Sequence, residues 1–492
     1  MEHKPTIYFG PPGTGKTTKL LSIVEEALAG GTPPDRIGYL SFSKKAATEA
    51  ATRACAKFNM SFNDLPYFKT LHALAYNQLS LKKTEVMDDA HLEKFAEAVG
   101  LPFSSRRTEE DLFRDSATLG DKLLSLWNYK EAKMITSEEV LRQLAFVDVL
   151  PRDIDKFGAD LCSYKKDNDL LDFGDMLTQW RGSVKFELLI IDEAQDLTPV
   201  QWKLAERLME NARRVIIAGD DDQAIYEWAG AEPAPLIEMD ANRIVLPKSY
   251  RLPSSIKELC DQIIRRVAER QPKQWSSREA VGRVSYESSI YDLDMSEGNW
   301  LILARHHFLL TPIQQQLRNC GYIYKSGKNW SNETPAVTAI IDYEKFRKGA
   351  VLTEHSARRL STFIINYKAP EQLPRNCKFE DMKFPFEGTP DWMTALNRIS
   401  PYEREYYRSC LRNGERLTKP GRIEISTIHG AKGGEADNVI LLPTVNSRVF
   451  SALEHRPDPE HRLFYVAASR AKNTLFLVNP TGDSYYNFPE HT

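Results

Sequence analysis

The octapeptide Gly10-Pro-Pro-Gly-Thr-Gly-Lys16-Thr17 narrows the folds open to this chain more than any other feature. It is a full match to the phosphate-binding pattern G-x-x-x-x-G-K-[ST]. Before it, Pro5-Thr6-Ile7-Tyr8-Phe9 reads as a short buried strand. After it, Leu20, Val24, Ala27 and Leu28 recur at helical spacing, and Gly30-Gly31 ends the helix. Strand, loop and helix in that order aim backbone N–H groups and a helix N-terminus at a polyphosphate. Gly10, Gly13 and Gly15 allow close backbone approach, and Thr14 and Thr18 complete the nucleotide-binding set. Lys16 would reach the β- and γ-phosphates, and the Thr17 hydroxyl would ligate Mg²⁺. A glycine-rich turn without a ligand would leave the flanking strand and helix as coincidence. The motif alone names no activity, because many unrelated enzymes carry it.

Two further strands narrow the field. Leu188-Leu189-Ile190-Ile191 is a continuous apolar run, the pattern of a parallel strand buried on both faces. It delivers Asp192-Glu193-Ala194-Gln195-Asp196 to the strand end where α/β sheets bind ligands. Asp192 is placed to hold Mg²⁺, and Glu193 to orient and deprotonate an attacking water. Val215-Ile216-Ile217-Ala218 ends in the same way, in Gly219-Asp220-Asp221-Asp222-Gln223, where Gln223 can sense a γ-phosphate. Alone, such an acidic cluster is equally a metal site or a polar loop. Two of them behind a phosphate loop point to nucleotide hydrolysis.

Composition bounds the partners. Lys plus Arg total 65 against 68 Asp plus Glu, a formal charge of −3, so the chain does not hold nucleic acid by bulk charge. A local basic or aromatic groove stays open. With 42% apolar and 27% charged residues in 492, the chain can bury a sizeable core, in three or four domains by length. No apolar run approaches the roughly 18 residues of a membrane helix, and Met1-Glu2-His3-Lys4-Pro5 lacks a signal-peptide stretch. Cysteines 55, 162, 260, 320, 377 and 410 form no C-x-x-C pair. This argues against zinc or iron–sulfur sites and suits reduced thiols in the cytoplasm.

The acidic segments and what surrounds them resemble the UvrD/Rep-type superfamily 1 DNA helicases. Asp192–Asp196 resembles motif II of that family and Gly219–Ala231 motif III. Leu40–Ala47 resembles motif Ia and Thr70–Leu74 motif Ib. Leu171–Leu177 resembles the segment leading back into the first core. Ser249-Tyr250-Arg251 resembles motif IV, Ile425–Glu435 motif V and Glu460–Ala471 motif VI. Together they run from Gly10 to Ala471, nearly the whole chain.

The resemblance implies an α/β protein of two RecA-like P-loop NTPase cores with parallel sheets, each carrying an inserted accessory domain. On this reading residues 1–78 and 171–253 form the first core. A helical insertion spans 79–170, with Leu92, Phe95 and Val99 on one stripe and Leu123, Leu124, Leu126 and Trp127 clustered on another. Residues 254–350 and 418–492 form the second core, with strands at 300–304, 423–425 and 474–478, and a short second insertion spans 351–417. ATP would be hydrolysed between the cores, with Arg251 and Arg470 reaching the γ-phosphate from opposite sides, Tyr250 stacking on adenine and Glu435 holding the ribose. Trp228 would stack on a DNA base. Phe42 and Tyr226 are further stacking candidates, Phe42 being equally a core residue. Thr70, His72, Arg305 and Thr427 match backbone-contacting positions, and His72 is equally a buried histidine at a helix start.

The implied activity is an ATP-dependent 3′→5′ single-stranded DNA translocase and helicase. It would use Mg²⁺, act at single-strand/duplex junctions with any protein loading partner unidentified, and work in the cytoplasm of a prokaryotic or phage-infected cell. The alternatives are an ATP-gated clamp that strips proteins from DNA, and an RNA motor. The family's adenine-reading glutamine lies before the first strand. Here nine residues precede Gly10 and none is Gln, so weak base selectivity is expected, with Lys19 as a possible substitute at the site edge. Little chain follows motif VI, so a nuclease domain is not expected.

Overall fold

A computed structural model describes residues 4–104, 118–144, 148–182 and 184–489. The chain divides into two compact units, Met1–Val281 with Leu453–Ser469, and Gly282–Ala452 with Arg470–Thr492.

The first unit is built on a six-stranded sheet of β1 (Thr6–Phe9), β2 (Ile37–Ser41), β3 (Phe68–Thr70), β4 (Phe186–Asp192), β5 (Ala212–Gly219) and β6 (Asn242–Val245), in the order β3-β2-β4-β5-β1-β6. Every pairing is parallel. Side chains alternate across a strand, and here both faces are covered. Leu188 and Ile190 pack with Leu20, Ile23 and Val24 of the helix Lys16–Ala29. Leu189 and Ile191 pack with Leu71, Leu74, Trp202 and Leu204 on the other face. That is why the strand reads as an unbroken apolar run. Burying each such side chain contributes about 1.5–3 kcal/mol.

The helices Asp89–Val99, Leu119–Lys133, Ser137–Leu144 and Pro151–Asp167 form a separate cluster around Phe95, Leu123, Leu126, Ile154, Phe157 and Leu161, with Trp127 packed against it. A Cβ on Gly158 would fall 2.0 Å from the Trp127 ring, so that glycine sets how closely two of these helices approach. Parts of the 79–170 segment, 105–117 and 145–147, lie outside the described residues.

The first unit extends beyond the expected boundary at residue 253. Helix Ser254–Ile264 and the segment after it remain with this unit. The reason is a backbone zipper: Ser276 N donates to Pro247 O (2.8 Å), Ser249 N to Ser276 O (2.8 Å), Arg278 N to Leu252 O (2.8 Å) and Ser254 N to Ala280 O (2.9 Å). The helix Asp458–Ala468 also belongs here and packs on Ser254–Ile264.

The second unit carries a seven-stranded sheet of β7 (Arg283–Glu287), β8 (Trp300–Ala304), β9 (Tyr324–Ser326), β10 (Asn329–Trp330), β13 (Ile423–Thr427), β14 (Ala436–Leu441) and β15 (Ala471–Val478). A separate two-stranded ribbon is made by β11 (Leu352–Thr353) and β12 (Asn376–Cys377). The large sheet runs β10-β9-β13-β8-β14-β15-β7 and is parallel except at the β9–β10 hairpin. Residues 379–392, rich in proline and aromatic side chains, pack into a separate apolar cluster of this unit. Phe384 stacks on Phe386 (5.1 Å, 10°), and both meet Tyr343, whose hydroxyl donates to Pro390 O (2.9 Å). Tyr343 lies on the helix Pro335–Phe346, so this cluster begins before the expected start at 351. Among the described residues, no helix is long and apolar enough to cross a membrane.

Candidate nucleotide site and nucleic-acid interface

β1 ends at Phe9, and Gly10 N donates to Gly219 O of the neighbouring β5 (2.9 Å), which anchors the start of the loop. Thr14 Oγ1 donates to Pro11 O (2.8 Å), closing the loop on itself. Gly13 and Gly15 take φ of +73° and +76°, which L side chains rarely adopt. Gly13 has a second reason to be glycine: a Cβ there would lie 2.4 Å from Arg251 Cβ. Motif IV is docked on this loop, with Tyr250 N donating to Gly13 O (2.8 Å) and Ser249 Oγ to Pro12 O (2.7 Å). Tyr250 is 73% exposed and its ring stands beside Gly15. Thr17 and Thr18 lie in the first turn of the helix Lys16–Ala29.

Lys16 Nζ donates to Glu193 Oε1 (2.7 Å) and lies 3.6 Å from Asp192 Oδ1. Consecutive strand residues point to opposite faces. Glu193 nevertheless joins Asp192 at the lysine because it adopts a left-handed conformation, φ +55°. For a non-glycine residue this is stored strain of about 1–3 kcal/mol. Burial alone would lower the Lys16 pKa, but the carboxylates of Glu193 and Asp192 outweigh it and hold the ammonium charged. Burial raises the Asp192 pKa against the pull of Lys16, and Tyr39 donates its hydroxyl to Asp192 Oδ2 (2.7 Å).

A side chain the sequence reading left without a role connects the two acidic segments. Gln195, fully buried, donates to Glu193 Oε2 (2.6 Å), while its Oε1 accepts from Asp220 N (3.0 Å). Gln223 Nε2 in turn donates to Asp220 Oδ2 (2.7 Å). The candidate base and the candidate γ-phosphate sensor are thus two side chains apart. Sequence reasoning also missed what neutralises the aspartates. Lys273 Nζ, with no exposure, lies 3.0, 2.7 and 2.7 Å from Asp220, Asp221 and Asp222. Arg270 forks onto Asp222 (2.8 and 2.6 Å), and Gln271 N donates to Asp221 Oδ2 (2.8 Å). Burial raises the Asp220 pKa to about 6, Lys273 pulling against it and its acidic neighbours adding to it. Burial acts the same way on Asp222, but Lys273 and Arg270 overcome it and hold that carboxyl below its usual range. Gln195 stands inside a recognised motif and could have been singled out. Nothing in the spacing of Arg270 and Lys273 signals a pairing some 50 residues back.

The aromatic candidates form a row. Phe42, just past β2, tilts against Tyr226 (5.5 Å), and Tyr226 meets Trp228 edge-on (6.5 Å). Trp228 also leans on the helical cluster of the first unit. Thr70 and His72 are tied into a helix start. Thr70 Oγ1 accepts from Ala73 N (3.1 Å), capping the helix Leu71–Gln78. His72 packs edge-to-face on Phe173 (5.6 Å), and burial lowers its pKa to about 4.

In the second unit, Thr427 ends β13 opposite Ala304 of the adjacent β8, and Arg305 follows Ala304, so both candidates lie at the C-terminal ends of neighbouring strands. Thr427 Oγ1 accepts from Gly430 N (3.2 Å), and Arg305 is buried. Glu435 pairs with Lys472 (2.6 Å). Arg470, buried just before β15, donates to Gly434 O (3.4 Å).

Two family models match the chain. The UvrD/REP helicase N-terminal domain covers residues 2–243, and the UvrD-like helicase C-terminal domain covers residues 134–480, more than two thirds of the whole. The chain belongs to the UvrD/Rep helicase family. By that membership it is an ATP-dependent DNA helicase. A "Probable DNA helicase II homolog" of Rickettsia conorii is 27% identical, over 96% of this chain and 90% of that protein. A protein of the same description from Mycoplasma capricolum is 24% identical, over 98% of this chain and 83% of that one. The "ATP-dependent DNA helicase PcrA" of Bacillus subtilis is 26% identical over 29% of this chain and 20% of its own length.

UvrD-like helicases use ATP, and the helicase offers Mg²⁺ suitable donors. Among the described residues, no group of three or more His, Cys, Asp or Glu could hold a metal. Mg²⁺ prefers hard oxygen ligands and usually keeps several waters, binding through one or two carboxylates plus substrate phosphates. The Thr17 hydroxyl and the Asp192 carboxylate are oxygen donors of that kind and would hold it.

Proposed function

We propose that this helicase is an ATP-driven motor that moves 3′→5′ along single-stranded DNA and separates duplex at a junction. One observation carries the proposal. Gln223, the candidate phosphate sensor, lies in the same short loop as Tyr226 and Trp228, the candidate base-stacking aromatics. It is joined to Glu193 through Asp220 and Gln195. Hydrolysis and DNA contact would then act on one loop. The 3′→5′ direction rests on the family resemblance.

In this reading the N–H groups of residues 13–18 cradle the phosphates and Lys16 leaves Glu193 for the β- and γ-phosphates. Glu193, so released, takes a proton from the attacking water. Mg²⁺, held by Thr17 and Asp192, would supply charge neutralisation at the phosphate oxygens. Arg251 and Arg470 stabilise the charge spread over the transferred phosphoryl group, where a guanidinium fork suits the geometry. Tyr250 stacks on the base and Glu435 binds the ribose. Phe42, Tyr226 and Trp228 stack on DNA bases, each contact contributing on the order of 1–3 kcal/mol regardless of sequence. Arg305, Thr427, Thr70 and His72 line the path of the strand. The test is ATP turnover measured side by side with single-stranded DNA, duplex DNA and RNA. Stimulation by single-stranded DNA above the other two supports the motor, and equal or stronger stimulation by RNA removes it.

A further inference from the structure

Tyr226 and Trp228 are separated by one residue, Glu227, whose carboxylate is mostly buried. Arg462 Nη1 donates to Glu227 Oε1 (2.7 Å), and its Nη2 donates to Glu269 O (2.6 Å). The Arg462 side chain is only 4% exposed, and Arg456 adds a longer contact to Glu227 Oε2 (3.9 Å). Arg462 sits in the middle of the helix Asp458–Ala468.

That helix reaches the nucleotide side of the unit as well. Tyr465, one turn after Arg462, is fully buried beside Asp220 and Asp222. Ser469, the residue after the helix, accepts from Arg251 Nη1 through its carbonyl (3.5 Å). The next residue in the chain is Arg470. On its other side the aromatic loop is held by the helix Leu119–Lys133, through a Lys133–Glu232 ion pair and the close approach of Gly230 to Ala132.

We infer that Glu227 is a positioning residue: through Arg462 it transmits occupancy of the Tyr226–Trp228 platform to the helix Asp458–Ala468, and so sets how strongly DNA stimulates ATP hydrolysis. The inference rests on the proposal that this platform holds DNA. A base entering the platform moves the backbone between the two rings, and Glu227 moves with it. The guanidinium follows its carboxylate, because leaving a buried charge unpaired is costlier than shifting a helix slightly. The planar guanidinium makes Arg462 a stiff link, with one nitrogen on Glu227 and the other on the Glu269 carbonyl.

The experiment measures ATP turnover without DNA and across a titration of oligo-dT, with DNA affinity read independently by fluorescence anisotropy. Glu227→Gln keeps the shape of the side chain and removes its charge. The expected result is a basal rate and a DNA Kd within about twofold of wild type, with maximal stimulation reduced about tenfold or more. Glu227→Asp should recover much of that stimulation. Arg462→Gln should reproduce the loss, and the double variant should be no worse than either single one, because both remove one link. Stimulation unchanged in Glu227→Gln at saturating DNA overturns the inference. So does a loss cured by adding more DNA, which makes Glu227 a DNA-holding group, and so does an equal fall of basal and stimulated rates, which makes it a packing contact. If Arg462→Gln does not fold, the two Glu227 variants decide alone. A wild-type enzyme that single-stranded DNA fails to stimulate contradicts the motor itself and removes the inference with it.

Discussion

Lys16 has a carboxylate partner at 2.7 Å, and a triphosphate would compete for the same ammonium. Lys16→Ala should therefore abolish ATP turnover, whereas Glu193→Gln should leave ATP binding in place and stop hydrolysis, since only the proton acceptor changes. A filter-binding assay beside a phosphate-release assay separates the two, and wild-type turnover in Glu193→Gln would show that Glu193 is not the base. Trp228 faces a similar division, because it both closes the aromatic row and leans on the helical cluster. Trp228→Ala should leave DNA-independent hydrolysis nearly unchanged and sharply weaken stimulation by single-stranded DNA. Equal loss with and without DNA would make it a packing residue. The meeting of Lys16 with Asp192 and Glu193 was legible, because Lys16 follows a glycine loop and the two acids follow an apolar strand. Residues whose role depends on distant partners were not, as with Gln195 reaching Asp220, or Arg462 reaching Glu227 from 235 positions away. Thr70 and His72 carry a related lesson. Their motif position implies backbone contacts with a strand, and the structure adds a second, local role that the motif does not report: a helix cap for Thr70 and a ring packed on Phe173 for His72.

Among the elements, the turn Asp220–Gln223 is heavily braced, with one fully buried lysine facing three carboxylates. Lys273→Met keeps much of the volume and removes the charge. Breaking a buried pair in this way costs about 3–5 kcal/mol, so the midpoint of thermal unfolding should fall markedly. The deficit should shrink as pH drops towards about 5, because Asp220 takes up a proton and less charge is left uncompensated. A deficit independent of pH would assign the loss to packing instead. In the second unit, His306 Nε2 accepts from Asn446 N (3.2 Å) and stacks on Phe308 (5.4 Å). Burial, helped by the charge of Arg305, depresses its pKa from 6.5 to about 3. A histidine depressed in the folded state binds fewer protons there than in the unfolded chain, so stability is lost as pH falls below about 6.5 towards 3. At pH 5 the loss should be about 2 kcal/mol. His306→Gln, which keeps an acceptor without a titrating group, should flatten that slope in acid-denaturation curves, and an unchanged slope would show that other groups carry it. Strands buried on both faces and the Phe95 helix stripe could be read from periodicity. The boundary at Val281 could not, because it depends on backbone pairing between residues 247–254 and 276–280, which no side-chain pattern reports.

For the molecule as a whole, a formal charge of −3 sets the manner of DNA binding. Bulk attraction to phosphates is weak, so grip must come from a local path; the Phe42–Tyr226–Trp228 row is the proposed one, and stacking on it would accept any base by its face. The family is shown by models that together span residues 2–480. Beyond membership, the account's central proposal is the direction in which hydrolysis drives the chain along DNA. The most direct measurement compares strand separation on duplexes bearing a single-stranded 3′ tail, a 5′ tail or no tail, with ATP consumption followed in the same reactions. A motor that runs 3′→5′ separates the 3′-tailed duplex, leaves the 5′-tailed and blunt duplexes intact, and stops when Glu193 is replaced by Gln. Steady DNA-stimulated hydrolysis with no strand separation on any of the three, or separation only from the 5′ tail, would contradict it.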